Sequence, residues 1–291
     1  MSLWQVIVLA FVQGLAELLP VSSSAHVVVT EKLMGLDPSS PEMALLLVLL
    51  HTGTMFAVII YFWKQWKQSF FSSVHTFWRI AVRLVVATMV TFIIGEGLMK
   101  AIEKIFGHGQ KIEPEQFFGR LDLIAPALLA AGILILISGW KNTNGNEGSA
   151  FQDDGTPRPC LKQASVIGAV QGMCLPFRGF SRSGATISTG LLMGIARPQA
   201  EAFSFALAVV LTPPVVAREV LRLMKLRHLE GGAALGAAVV PGMIGMVCAF
   251  LAGLLALKWL SKWLEGGKWY LFGVYCVAAS IAVGALHHLG Y

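Results

Sequence analysis

Long runs of apolar residues, separated by short polar or basic stretches, make up most of this chain. Six of these runs approach the roughly 20 residues that an α-helix needs to cross the hydrocarbon core of a bilayer. The pattern therefore predicts an all-α integral membrane protein with about six transmembrane helices. The predicted spans are Met43–Trp63, Ile80–Leu98, Leu123–Trp140, Ala202–Leu221, Ala233–Leu257 and Trp269–Leu286.

The first apolar segment differs from these spans. It runs only from Leu3 to Leu19, which is slightly short for a crossing, and Pro20 then interrupts it before a cluster of serines. We expect the chain to enter the membrane, turn near its middle and return through Val27–Leu36. Residues 3–36 would then form a re-entrant helical hairpin, whose irregular turn must be surrounded by protein or water.

The two halves of the chain resemble each other at a nearly constant offset. Gln13-Gly14 recurs 158 positions later, and both Leu33-Met34-Gly35 and Glu42 recur 159 positions later. This register predicts two repeats, 1–140 and 163–291, joined by a polar linker at 141–162, with a second hairpin at about 164–197. Three spans separate the hairpins, so their openings face opposite sides of the membrane and the repeats have inverted topology.

The composition agrees with a membrane protein and excludes other classes. Apolar residues make up 56% of the chain and charged residues 13%, and the mean hydropathy is +0.70. The net charge of +6 fits basic residues at membrane edges, and no basic stripe of the kind that binds nucleic acid is present. The four cysteines form no CxxC pair, so we expect neither disulfides nor a zinc site.

The turns of the two predicted hairpins carry polar side chains that are costly in hydrocarbon unless they face one another or water. In the first hairpin, Ser23 and His26 are three residues apart and would share a helix face, so the imidazole could approach the hydroxyl. Glu17 could hold a divalent ion, position water, orient His26, or simply pair with Arg182 of the second hairpin. Arg182 offers a planar fork suited to phosphate.

Further polar groups extend this set into a predicted phosphate site near the repeat interface. They are expected to bind substrate through hydroxyl or amide groups, assisted by the free N–H groups of helix N-termini. The candidate substrate-binding residues are Gln13, Ser22, Ser24, Ser181, Ser183 and Thr186. His51, alone in an apolar span, is interpreted as a packing or hydrogen-bonding residue and is left outside the site.

At these residues the sequence resembles a known family. Two segments are similar to the paired signatures of bacterial undecaprenyl-diphosphate phosphatases, also called the bacitracin-resistance family. The first segment is Gln13-x-x-x-Glu17 followed by Pro20-Val21-Ser22-Ser23-Ser24-Ala25-His26. The second segment is Gly179-Phe180-Ser181-Arg182-Ser183-Gly184-Ala185-Thr186. The resemblance extends over nearly the whole chain. Two positions depart from the family pattern: Gln13 stands at an acidic position, and Arg178 stands where the signature has proline before glycine.

The resemblance implies an enzyme of the inner membrane with its active site facing the periplasm. Its reaction would be the hydrolysis of undecaprenyl diphosphate to undecaprenyl phosphate and inorganic phosphate, which recycles the lipid carrier of peptidoglycan synthesis and confers resistance to bacitracin. The resemblance also implies a divalent cation, Mg²⁺ or Ca²⁺, for which Glu17 is the candidate ligand. The partners would be the polyprenyl diphosphate and the bilayer, and a homodimer is left open.

For this reaction we expect Ser23 as nucleophile, His26 as its base, Glu17 orienting His26 or holding the metal, and Arg182 stabilising charge on the transferred phosphoryl group. A phosphohistidine on His26, or water activated through Glu17, are the alternatives. A different class also fits the architecture. Inverted repeats with broken helices are typical of transporters, so a polyprenyl-phosphate flippase or an anion transporter is the second hypothesis.

Overall fold

The computed structural model describes residues 1–38, 40–106, 120–143, 159–230, 233–265 and 268–290, and within these ranges it contains α-helices and no β-strand. Most of the predicted linker at 141–162 lies outside the described residues. The helices of the described ranges are α1 (Leu3–Leu18), α2 (Ser23–Leu33), α3 (Pro41–Ser69), α4 (Val74–Phe106), α5 (Leu121–Thr143), α6 (Leu161–Cys174), α7 (Arg182–Leu192), α8 (Arg197–Glu230), α9 (Ala233–Glu265) and α10 (Trp269–His288).

Six helices, α3, α4, α5, α8, α9 and α10, are long and apolar enough to cross a membrane. Each predicted span lies within one of them, so the prediction of an all-α membrane protein with six long apolar helices is confirmed. Large apolar side chains point outward from these helices, as expected for surfaces that face lipid. For example, Ile93 is 66% exposed and Ile281 is 69% exposed. The protein is a multi-pass membrane protein.

The four remaining helices form two short pairs, α1 with α2 and α6 with α7, and the two pairs begin in the same way. The Ser2 N–H donates to the Gln5 side-chain oxygen at 2.8 Å, and the Cys160 N–H donates to the Gln163 side-chain oxygen at 2.8 Å. These bonds satisfy a backbone donor that lacks a partner at a helix start. The capping residues are 158 positions apart in the sequence, which is the offset of the Gln-Gly repeat.

The two pairs also end in the same way. α2 is followed by Gly35 at φ +70°, and α7 is followed by Gly194 at φ +74°. This left-handed conformation is one that glycine adopts without a steric penalty, and it commonly terminates helices. In each case the glycine N–H donates to the carbonyl three residues earlier, at Lys32 and Leu191, with 3.0 Å between the atoms.

The short pairs are held against long helices by close backbone approaches. α1 packs on α9, and α6 packs on α4. A Cβ atom added to Gly14 in α1 would lie 2.6 Å from the Ala252 Cβ, and one added to Gly172 in α6 would lie 2.7 Å from the Thr91 carbonyl oxygen. Glycine is therefore required at both crossings.

The α7 helix is buried in the centre of the bundle, beside α5, α6 and α8. Its Ser188 hydroxyl lies 2.9 Å from the Ser138 hydroxyl of α5, and the Trp269 indole N–H of α10 donates to Ser138 at 2.9 Å. Because buried polar groups must find partners, this network specifies how three helices meet. It fixes the position of α7, and so of its first residue Arg182, relative to α5 and α10.

Candidate functional site

The turn between α1 and α2 contacts the turn between α6 and α7. The Ser183 hydroxyl donates to the Leu19 carbonyl at 3.2 Å, and the Gly179 N–H donates to the Ser24 hydroxyl at 3.2 Å. Two segments that are more than 150 residues apart in the sequence are thus connected directly by hydrogen bonds. The structure therefore brings the two polar turns together.

Both turns depend on unusual backbone conformations. Ser22 has φ +68°, which is uncommon for a residue with a side chain and costs of order 1–3 kcal/mol. Gly179 has φ +102°, and a Cβ atom there would lie 2.6 Å from the Ile124 carbonyl oxygen. The strained Ser22 immediately precedes α2, so it sets the direction in which Ser23 and Ser24 leave the turn.

Glu17, in the last turn of α1, is the centre of the polar cluster. Its side chain is 10% exposed, and its Oε1 accepts from Arg182 Nη2 at 2.6 Å. Its Oε2 accepts from the Ser23 hydroxyl and, at 3.1 Å, from the Gln13 side-chain amide. The pairing of Glu17 with Arg182 that the sequence left open is thus formed. The Glu17 carboxylate also accepts from Ser23, the candidate nucleophile. Glu17 can therefore pair with Arg182 and belong to the site at the same time.

A cavity of about 330 Å³ opens beside this carboxylate. Apolar side chains and the polar residues of both turns line it together, a composition typical of ligand pockets. Two arginines and one carboxylate give the lining a net positive charge. The polar lining residues are Gln13, Glu17, Ser22, Ser23, Ser24, His51, Arg178, Ser181, Arg182 and Ser183.

His26 does not occupy the position that the sequence predicted. Its Nδ1 lies 2.7 Å from the Ser22 carbonyl oxygen, and its Nε2 lies 2.6 Å from the Tyr275 hydroxyl of α10, on which the ring stacks. A carbonyl only accepts, so Nδ1 carries the proton and Nε2 accepts from Tyr275. Both ring nitrogens therefore have partners other than Ser23. The expected approach of this imidazole to the Ser23 hydroxyl is absent among the contacts of the described residues.

His51, for which the sequence suggests a packing role, lines the cavity instead. Its Nδ1 lies 2.7 Å from the Leu47 carbonyl, so this nitrogen carries a proton and Nε2 is directed to the site. Nε2 lies 3.6 Å from Glu17 Oε2, and the side chain is 40% exposed. The sequence does contain one feature that indicates a functional role for His51: it is an ionisable side chain within a predicted membrane span, and such a residue is a functional candidate even when it stands alone.

The predicted hydroxyl groups divide into two sets. Ser22, Ser24, Ser181 and Ser183 line the cavity. Ser181 also caps α7 by accepting from the Gly184 N–H at 3.1 Å. Thr186 lies outside the cavity lining, because its hydroxyl donates to the Arg182 carbonyl at 2.8 Å and contacts the Ser204 hydroxyl at 2.6 Å. Thr186 therefore connects α7 to α8.

The residues present do not form a complete metal cage. No group of three or more His, Cys, Asp or Glu side chains with metal-ligand geometry occurs within the described residues. Among the described residues that line the cavity, Glu17 is the only carboxylate, and both of its oxygens already accept from neighbouring donors. Such a donor set suits a cation that arrives with phosphate ligands of its own, because Mg²⁺ is commonly bound by one or two carboxylates together with substrate phosphates.

Comparisons with known proteins find similar sequences over nearly the whole chain. Residues 6–282 match the family described as "Bacitracin resistance protein BacA". A protein of Acinetobacter baylyi named Undecaprenyl-diphosphatase 2 is 54% identical over 284 residues, which cover 96% of each chain. A protein of Burkholderia ambifaria with the same name is 32% identical over 296 residues, covering 97% of this chain and 95% of the relative.

Proposed function

Because the chain belongs to the bacitracin resistance protein BacA family, we propose that it hydrolyses undecaprenyl diphosphate to undecaprenyl phosphate and inorganic phosphate. The names of its relatives support this substrate. The observation that carries the proposal is the cavity in which Ser23, Glu17 and Arg182 are joined by hydrogen bonds. A diphosphate binder needs cations, whereas a cavity hydroxyl that donates to a carboxylate beside those cations can also be activated as a nucleophile.

The proposed reaction begins at Ser23. Its hydroxyl already donates to Glu17 Oε2, so the carboxylate is placed to take the proton as Ser23 Oγ attacks the terminal phosphorus. The new Oγ–P bond forms while the P–O bond to undecaprenyl phosphate breaks, and this anion leaves. Water then hydrolyses the phosphoserine to inorganic phosphate and restores Ser23. In this scheme Glu17 takes the proton that sequence analysis assigned to His26.

The charge that develops on the transferred phosphoryl group would be stabilised from two directions. Arg182 can hold phosphoryl oxygens through its planar fork while one nitrogen stays on Glu17. α2 begins at Ser23, and Ser22 gives it no side-chain cap. The first N–H groups of α2 therefore remain available for an anion in the cavity, where the positive end of the helix dipole also acts.

A divalent cation, Mg²⁺ or Ca²⁺, is part of the proposal. It would be held mainly by the diphosphate oxygens, with Glu17 as the protein carboxylate, and it would neutralise charge on the substrate. Gln13 contributes an amide where the family pattern has an acidic residue, so this chain offers one fewer anionic ligand. We therefore expect the cation to bind weakly before the substrate is present.

We further propose that α1–α2 and α6–α7 are re-entrant hairpins of two inverted repeats, 1–140 and 163–291, joined by the linker 141–162. α1 has 16 residues and α6 has 14, so at 1.5 Å per residue each is about 21–24 Å long and shorter than the roughly 30 Å hydrocarbon core. The matching helix caps, and the matching contacts of α1 with α9 and α6 with α4, support the repeat.

The proposed location is the bacterial inner membrane, with the amino terminus and the active site on the periplasmic side. Undecaprenyl diphosphate would enter with its chain between helices and its diphosphate in the cavity. Hydrolysis there would return the carrier to peptidoglycan synthesis and oppose the action of bacitracin.

The sequence leaves open whether the protein forms a homodimer. Light scattering of the purified protein in detergent tests this, because it measures the mass of the protein and so distinguishes one copy from two.

The experiment that tests the proposed function is phosphate release from undecaprenyl diphosphate by the purified protein, with added Mg²⁺ or Ca²⁺ and with chelator. Release that requires the cation and is lost in Ser23→Ala and Arg182→Ala supports the proposal. Ser165→Ala is the matched control, because Ser165 lies outside the cavity and donates to a carbonyl of its own helix. Absence of release from folded wild-type protein would instead favour lipid or anion transport.

A further inference from the structure

Arg178 lies on a tight turn at the wall of the cavity. The Phe180 N–H donates to the Phe177 carbonyl at 3.1 Å, so residues 177–180 form a β-turn with Arg178 and Gly179 at its two central positions. The φ of +102° at Gly179 suits the second central position of a type II turn, where glycine is favoured. Proline is favoured at the first central position. The turn therefore accommodates the proline of the family signature, and in this chain the same position carries a cation.

The turn is fastened to the first hairpin next to the candidate nucleophile. The Gly179 N–H donates to the Ser24 hydroxyl, whose residue directly follows Ser23. Arg178 and Arg182 both line the cavity, from the turn and from the start of α7 respectively. Arg182 already donates to Glu17. Two guanidinium groups therefore border one cavity, and Arg182 is hydrogen-bonded to the carboxylate that contacts Ser23.

A buried carboxyl group interacts electrostatically with the arginine of this turn. Glu31, in α2, is fully buried, and neither of its side-chain oxygens has a hydrogen-bond partner. The charged groups that act on it are Arg178, which is attractive, and Asp37, which is repulsive. Glu31 therefore attracts Arg178 electrostatically, and Arg178 itself lines the cavity.

We propose that Arg178 and Arg182 form a two-cation subsite that selects a diphosphate over a monophosphate, with Arg182 on the phosphoryl group that is transferred and Arg178 on the one that stays with the lipid. This inference rests on the proposed function and assigns a task to a residue that departs from the family signature. A diphosphate brings at least two negative charges into the cavity, whereas one arginine there is already shared with Glu17. A second guanidinium supplies the missing positive charge and additional charge-assisted hydrogen bonds.

The test compares two short ligands, farnesyl diphosphate and farnesyl phosphate, by calorimetric titration of the full chain in detergent. The measurements are made in the Ser23→Ala background, so that binding is not followed by turnover. Adding Arg178→Gln should raise the Kd of farnesyl diphosphate by about 10- to 100-fold, the usual range for losing a hydrogen bond to a charged group, and leave the Kd of farnesyl phosphate within about threefold. Arg120→Gln, at the exposed start of α5, is the matched control.

A second variant separates charge from folding. Arg178→Pro removes the cation but restores the residue that suits this turn, so the protein should keep its Tm and still lose selectivity for the diphosphate. If either variant changes both Kd values equally, or changes neither, the subsite is wrong. Phosphate release from undecaprenyl diphosphate by the wild type is measured in a separate experiment. Absence of release would reject the proposed function. The two Kd values would still show whether the cavity selects a diphosphate over a monophosphate.

Discussion

At the scale of single residues, the carboxylate of Glu17 determines the arrangement of the site. It accepts hydrogen bonds from Gln13 and Ser23 of its own hairpin and from Arg182 of the other. A carboxylate that is only 10% exposed is costly without such partners, and removing one of them leaves the others poorly satisfied. Substitutions around Glu17 should therefore be strongly non-additive.

We predict that His51→Ala lowers kcat about 10-fold or more while changing KM little. The imidazole Nε2 faces the Glu17 oxygen that receives the Ser23 proton, so its loss alters proton transfer more than ground-state binding. Steady-state phosphate release measures both constants. His75→Ala is the control, since His75 is exposed near the start of α4. An unchanged kcat would return His51 to the packing role that the sequence suggested.

We predict that Tyr275→Phe lowers the free energy of unfolding by about 1 kcal/mol and reduces kcat. The substitution removes the hydroxyl that donates to His26, so the imidazole Nε2 loses its hydrogen-bond partner. Thermal unfolding and phosphate release are measured together. Tyr270→Phe, on the same helix and equally exposed (45% against 47% for Tyr275), should change neither quantity. A Tyr275→Phe protein that also matched the wild type would show that His26 needs no such support.

The histidines illustrate which parts of the site could be inferred from the sequence. Helical spacing correctly places Ser23 and His26 on one short helix, α2. The direction of the His26 ring, however, depends on the positive φ of Ser22 and on Tyr275, which is 249 positions away. Neither is visible in local spacing. His51 was missed for the complementary reason, because its partner Glu17 lies on another helix.

At the scale of helices, the short pairs depend on close backbone contact with the long helices. We predict that Gly14→Ala and Gly172→Ala each destabilise the protein by about 1–3 kcal/mol, because the new methyl group would overlap α9 or α4. Thermal unfolding in detergent measures the effect. Gly97→Ala is the control on α4, where nothing lies within 4 Å, and helix propensity should make it neutral or slightly stabilising. Equal Tm values for all three variants would contradict the tight crossings.

The number of long helices followed from the sequence more reliably than their ends. Run length alone identified six, because the bilayer sets a minimum apolar length. The predicted span Ile80–Leu98 is nevertheless much shorter than α4, which runs from Val74 to Phe106. Polar residues at both ends of α4 continue the helix beyond the apolar run, and hydropathy does not detect this extension.

At the scale of the whole molecule, the proposed inverted topology places equivalent helix starts on opposite sides of the membrane. In chains with a single cysteine, we predict that Ser2→Cys reacts with a membrane-impermeant maleimide in intact spheroplasts. Native Cys160 should react only after the membrane is opened. A chain without cysteine measures the background labelling. Reaction of both positions from the same side would reject the inverted repeats.

The ion pair between Glu17 and Arg182 also has a consequence for how the protein is made. The two residues are 165 positions apart, so at about 5–20 residues per second the ribosome needs roughly 10–30 s to add the second after the first. In the proposed topology, the nascent chain holds this carboxylate within the membrane without its cation throughout that interval. A prematurely terminated chain would keep this unpaired charge permanently. Membrane proteases that recognise exposed polar groups could therefore distinguish it from a finished molecule.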